Sequence, residues 1–174
     1  MPWLAVALAA GLGLSGCGEG GTEPTDTPAF RATWAGKPWE GDATAMLVSG
    51  RRAGDTLYLF GSTPANADQS ISEYVRVRVV FRGTGTYSLD AGDAGVVHML
   101  GGDVVAAEYA TGETGAGRLV VREYTGAEVA GQVDFSATTT REYSPYGPAA
   151  RFTGEFRAKV IRRPWVDPNG SASE

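Results

Sequence analysis

The chain has 174 residues and a formal net charge of −5, from 15 Lys and Arg against 20 Asp and Glu, with a single Cys and a single His. That balance argues against nucleic acid as a partner, because binding a phosphate backbone rests on clustered Lys and Arg. One cysteine forbids an internal disulfide, and one histidine beside it cannot supply the usual zinc ligand set.

From Pro2 to Leu14 the chain is almost wholly Ala, Leu, Val, Gly and Trp. This run falls short of the about 20 apolar residues that span a bilayer, and it fits the roughly 7–15-residue apolar region of a secretory signal. No Lys or Arg precedes it, so the positive charge there rests on the α-amino group. Leu14-Ser15-Gly16-Cys17 resembles the bacterial lipobox, a leucine and two small residues before a cysteine. Small residues let a peptidase approach the backbone, and the thiol is the side chain that takes a thioether-linked diacylglycerol. The resemblance implies cleavage before Cys17 and acylation of its new amino group. Several acyl chains, at about 0.8 kcal/mol per buried methylene, hold where one alone is marginal. Residues 1–16 are then the signal, and Cys17 is the lipidation site. Glu19 does not match the aspartate that retains some lipoproteins in the inner membrane, which favours the outer one.

Residues 17–28 continue as a Gly-, Thr-, Pro- and acid-rich tether with nothing apolar to bury. The remaining chain, about 150 residues or fewer, is enough for one domain with an adequate core. Abundant glycine, with recurring Val, Thr, Tyr and Phe in short stretches, favours strands and turns over helices. Phe30 to Trp34 alternates at period two, and Ala35-Gly36-Lys37-Pro38 turns the chain before Trp39. Ala43–Ser49 and Asp55–Phe60 read as strands joined by a charged turn, and Ser62–Ser70 as a loop. The clearest strand is Glu73–Phe81, with Val75, Val77, Val79 and Phe81 on one face and Arg76 and Arg78 on the other.

Gly83-Thr84-Gly85 turns into a strand over Thr86–Leu89. Asp90–Asp103 reads as a Gly-rich loop with a short apolar insert, Val96–Leu100. Val104–Tyr109 is a strand, and Gly117–Tyr124 with Glu128–Ala137 forms a hairpin around Thr125-Gly126-Ala127. Thr138–Pro148 is a loop, and Phe152–Val160 is the last strand. The domain occupies 29–163, and 164–174 is a tail without periodicity. Eight or nine strands at this spacing predict an all-β fold, an antiparallel β-sandwich with a β-barrel as the alternative.

These pieces together resemble a family of uncharacterised bacterial lipoproteins with a single β-rich domain. The matching stretches are Phe30-Arg31-Ala32 with Gly36-Lys37-Pro38-Trp39, and Gly83-Thr84-Gly85-Thr86-Tyr87. The hairpin from Gly117-Arg118-Leu119-Val120-Val121 to Gly131-Gln132-Val133-Asp134-Phe135 and the closing Phe152-Thr153-Gly154-Glu155-Phe156 also match. The likeness covers most of the chain beyond the signal. It implies an envelope location and a sandwich-like fold, and it carries over no catalytic residue.

The residues that bear chemistry are few. His98 is the sole imidazole, and the ordinary role for it is a hydrogen-bonded strand or loop histidine. No G-x-S-x-G surrounds any serine, and Gly83-x-Gly85 lies between strands instead of before a helix, so no phosphate cradle or cofactor signature is present. Asp90, Asp93 and Asp103 flank a Gly-rich loop whose oxygens suit a hard cation such as calcium, although Gly-Asp pairs are ordinary turn chemistry. Tyr143 and Tyr146, in a proline-containing loop, are the candidates for stacking on a sugar or peptide, as are Trp34 and Trp39; plugging the ends of the fold is the commoner use of such rings. The function expected is a lipid-anchored, non-enzymatic binding or structural module, with the membrane and an envelope glycan or protein as partners. An envelope hydrolase or glycan-processing enzyme is the alternative.

Overall fold

A computed structural model describes residues 29–50, 54–63, 71–100, 104–112, 117–139 and 141–164. Leu14–Cys17, the tether over 18–28, Asp103 and residues 165–174 of the expected tail lie outside them. The fold is all-β. Its strands are β1 (Ala29–Trp34), β2 (Lys37–Val48), β3 (Thr56–Ser62), β4 (Ile71–Val80), β5 (Gly85–Leu89), β6 (Ala94–Leu100), β7 (Val104–Ala110), β8 (Gly117–Tyr124), β9 (Glu128–Thr138) and β10 (Ala149–Arg163).

Nine of these strands answer to the periodic stretches of the sequence. The tenth, β6, corrects the expectation of a loop with an apolar insert; it begins at Ala94 and carries His98. A second adjustment falls at the first hairpin. Ala35 and Gly36 both have positive φ, 51° and 78°, and together they make a two-residue turn. Lys37 therefore already pairs with Trp34, and β2 starts there.

The strands form one sheet that curls into a ring-like shape, in which β10, β2, β3, β4, β6, β7 and β9 are each bonded to the next. The β10–β9 ladder brings the ring back on itself. Among the described residues all ladders are antiparallel except one: Lys159–Arg163 of β10 runs parallel to Thr44–Val48 of β2. The reason is β1, a wedge antiparallel to both neighbours, which forces them to run in the same direction. Past Ala29 the wedge ends and β2 meets β10 directly.

Side chains fill the inside of the ring. Val75, Val77 and Val79 are buried there while Arg76 and Arg78 face solvent, as the alternation requires. Phe30 packs edge-on against Trp39 and Phe152, with centroids 6.0 Å away in each case, and Phe135 stacks on Phe152 at 5.3 Å. Gly61 makes room for this cluster: a Cβ there would lie 2.6 Å from Phe30 and 2.8 Å from Val75.

Between β4 and β9 the wall is built in two ways. At one level β6 pairs with β4 as far as Ala94↔Val77, and β7 touches β9 at Ala110↔Thr138. At the other level β8 pairs with β9 and β5 pairs with β8. No ladder joins β5 back to β4. The ring has a seam there.

Candidate functional site

Among the described residues, two places bring candidate side chains together. The first is inside the ring. Glu73 on β4 and His98 on β6 are register partners, and both are buried, at 7% and 4% exposure. His98 Nδ1 lies 3.1 Å from Glu73 Oε1. A β-bulge separates His98 from Met99 in the pairing with β7, and such irregularities redirect side chains locally. The Glu73 backbone is pinned to Thr63, its N–H donating to Oγ1 at 2.9 Å while its carbonyl accepts from the Thr63 amide at 3.0 Å.

Tyr146 completes this cluster from the β9–β10 loop. Its hydroxyl donates to the same Glu73 oxygen at 2.5 Å, and its amide donates to the Tyr109 hydroxyl at 3.1 Å. The ring packs edge-on against Trp34 at 5.6 Å, and Lys37 Nζ lies 5.6 Å from its centroid. Burial raises the phenol's pKa well above the ordinary tyrosine value, helped by the hydrogen bond and the charge of Glu73. Tyr146 is thereby fixed as a plug. Tyr143 sits nearer the surface, 51% exposed, its ring 6.3 Å from His98. The structure thus joins His98, Tyr143 and Tyr146, which the sequence offers as unrelated candidates. Trp34 and Trp39 are core residues at 1% and 4% exposure.

Sequence reasoning passed over Glu73, although a signal was available: it shares the parity of Val75, Val77 and Val79, which marks a carboxyl on the buried face. Glu73 Oε1 thus meets both the phenol hydroxyl and His98 Nδ1, which donates to it in the tautomer that carries its proton there. A carboxylate holding an imidazole is half of a hydrolytic triad. The other half is missing among the described residues, since no serine or threonine hydroxyl bonds His98, and Ser72 points to the opposite side of β4 from Glu73.

The second place is the seam. A groove of about 590 Å³ opens there, its lining including Tyr58, Arg78, Val80, Arg82, Tyr87 and Asp93. Tyr87 is held rigidly, its hydroxyl donating to the Gly83 carbonyl and accepting from the Arg82 amide at 3.0 Å. Its ring stacks on Phe81, with centroids 6.2 Å apart. The sequence offers Asp93 as a candidate cation ligand but does not mark the groove, which comes from a missing ladder and not from a motif.

The candidate cation loop is engaged in other bonds. Asp93 Oδ1 accepts from Arg78 at 2.9 Å, and Oδ2 accepts from the Asp90 amide at 3.0 Å. The Thr111 hydroxyl donates to the Asp90 carbonyl at 2.5 Å. Asp90-Ala-Gly-Asp93 is therefore a side-chain-capped turn, and a cation would have to displace Arg78. Among the described residues no three His, Cys, Asp or Glu side chains converge as a metal site.

No protein-family model, curated protein or solved structure matches the chain.

Proposed function

We propose that this chain is a lipid-anchored protein of the bacterial cell envelope, of the outer membrane by preference, acting as a non-enzymatic binding module through the groove between β4 and β5. The lipobox-like Leu14-Ser15-Gly16-Cys17 and the acid-rich tether support the location. The observation that carries the binding reading is the groove. Its volume lies within the about 300–1,000 Å³ range of ligand sites, and it pairs aromatic rings with a few fixed polar groups. The interior of the ring, by contrast, is filled with side chains.

The test is thermal unfolding of the chain from Thr22 onward, with and without calcium, envelope glycans and peptides. A ligand at about 100 times its Kd adds about 2.7 kcal/mol, which moves Tm by roughly 5–10 °C in a domain of this size. A shift lost in Tyr58→Ala supports the reading, and no shift with any probe removes it. Anchoring has its own check: Cys17→Ser should leave the membrane fraction and accumulate unprocessed chain.

A second reading, an envelope hydrolase, is favoured by the Glu73–His98 pair. It requires that His98→Gln abolish turnover of an envelope substrate while leaving Tm close to that of the parent chain. Loss of stability without any activity to lose would place the pair in the fold alone.

A further inference from the structure

We infer that the groove takes an extended peptide, which adds to β5 as a further strand; the inference rests on the groove being a binding site. The edges of the seam give the first reason. Among the described residues β5 pairs only with β8, and in an antiparallel ladder every second residue turns its N–H and C=O away from the partner. Among the described residues no backbone group meets those of Gly85–Leu89 on that side. An edge left in this state is usually blunted by lysine, proline or a bulge. Gly85-Thr-Tyr-Ser-Leu89 has none of these.

The opposite wall is complementary. The Arg78 amide points away from β3 and donates to the Asp93 carbonyl at 2.7 Å. Alternation sends the Val80 amide and carbonyl the same way, where no ladder continues, and the Val80 side chain is 43% exposed. A strand lying in the groove thus finds backbone partners along β5 and at Val80. The Tyr87 hydroxyl, clamped to Arg82 and Gly83, holds the β4–β5 connection in place before any ligand arrives, which lowers the ordering cost of binding.

Charge selects the occupant further. Arg78 is paired with Asp93; among the described residues the Arg82 guanidinium has no ion pair, and Asp90, the other charge lining the groove without one, lies past the far end of β5. A peptide with an acidic side chain at the Arg82 end is therefore favoured. A second copy of this chain fits less well, because its β5 would bring β8 along on the other side, into β4. A saccharide would use the tyrosine rings and hydroxyls and leave the strand edges unmet. Main-chain addition with side-chain selection is a known mode of peptide capture.

The experiment pans the full chain, purified in detergent, against a phage-displayed library of random dodecapeptides, with enriched peptides then synthesised. The expected result is enrichment of β-branched sequences carrying an acid, with slowed amide exchange at Gly85–Leu89 on binding. N-methylation of alternate central amides should weaken binding more than tenfold at one parity, and Arg82→Glu should weaken acidic peptides roughly five- to tenfold. Enriched peptides that tolerate methylation at both parities, or leave exchange at β5 unchanged, overturn strand addition. If no peptide is enriched while oligomers of N-acetylglucosamine bind and Tyr58→Ala removes them, the groove stands and the peptide falls. If neither probe binds, both readings fall.

Discussion

Glu73 and His98 face each other across the β4–β6 ladder on the inner side of the ring, 3.1 Å apart, with valines as their neighbours along each strand. A polar pair in such surroundings is stable only when its remaining hydrogen-bonding capacity is met. Tyr146 adds a second bond at Glu73 Oε1, so the three side chains act as one unit that ties the β9–β10 loop to the wall.

Removing the phenol hydroxyl tests that unit. Tyr146→Phe keeps the ring against Trp34 and deletes only the bond to Glu73, which at a charged acceptor is worth about 1.5–3 kcal/mol. Urea melts at pH 7 should show a loss of that size. In a double-mutant cycle with Glu73→Gln the two changes should couple by more than about 0.5 kcal/mol. Tyr143→Phe, whose hydroxyl bonds no described residue, should stay within about 0.5 kcal/mol of the parent. Strict additivity of the first two would show that Glu73 and Tyr146 are neighbours only by proximity.

The same phenol sets an alkaline limit. Its folded pKa is raised by burial first and by Glu73 second, so the protonated form is favoured in the fold. Its contribution is therefore complete below the unfolded tyrosine value of about 10 and is lost as pH rises toward the higher folded value. The parent chain should lose stability with rising pH above about 10 more steeply than Tyr146→Phe. Parallel curves for the two proteins over that range would remove Tyr146 as the cause.

The sequence reveals some of this architecture and hides the rest, for physical reasons that differ from strand to strand. Period-two alternation in β4, β9 and β10 is strong because one face packs in the ring and the other is wet, so the all-β fold and its inward residues were legible. β6 was not, since it opens on the small buried pair Ala94 and Gly95 and its later alternation sets buried residues against the equally apolar, half-buried Val97 and Met99. The β10–β2 parallel pairing depends on β1 being wedged between them, a long-range fact with no local signature. Glu73 was legible in parity and still easy to pass over, because an acid at the head of a valine strand looks like its boundary. The groove is a missing ladder, which no local pattern announces.

On the outer face Asp134 makes the opposite kind of titration claim. Arg151 grips it at both oxygens, Nε to Oδ1 at 2.8 Å and a terminal nitrogen to Oδ2 at 2.7 Å, and Thr153 adds a bond at 3.1 Å. The Arg151 bonds outweigh the cost of partial burial and hold the carboxyl below its ordinary value. Stability from this group is present above the unfolded value of about 3.9 and lost as pH falls through the lower folded one. Asp134→Asn should be slightly less stable than the parent at pH 7, and the gap should close on the acid side of the usual carboxylate range. A gap that persists unchanged into strong acid would mean the carboxylate's charge is irrelevant there.

Gly61 is the sharpest steric prediction. It faces inward on β3, and an added Cβ would lie 2.6 Å from Phe30 Cδ2, 2.8 Å from Val75 Cγ1 and 3.1 Å from Trp39 Cη2. Phe30 is fully enclosed and held by three aromatic neighbours, so its ring has nowhere to move. Gly61→Ala should therefore cost about 1–3 kcal/mol through overpacking, despite alanine's lower backbone entropy when unfolded. Val75→Ala alone opens a small cavity and should also destabilise. Combined, the two changes should cost less than their sum, because deleting the Val75 methyls gives the new Cβ part of the space it needs. Such compensation, read from denaturant midpoints at constant slope, would place Gly61 as the residue that lets the aromatic cluster close; a plain sum would assign the clash to Phe30 alone.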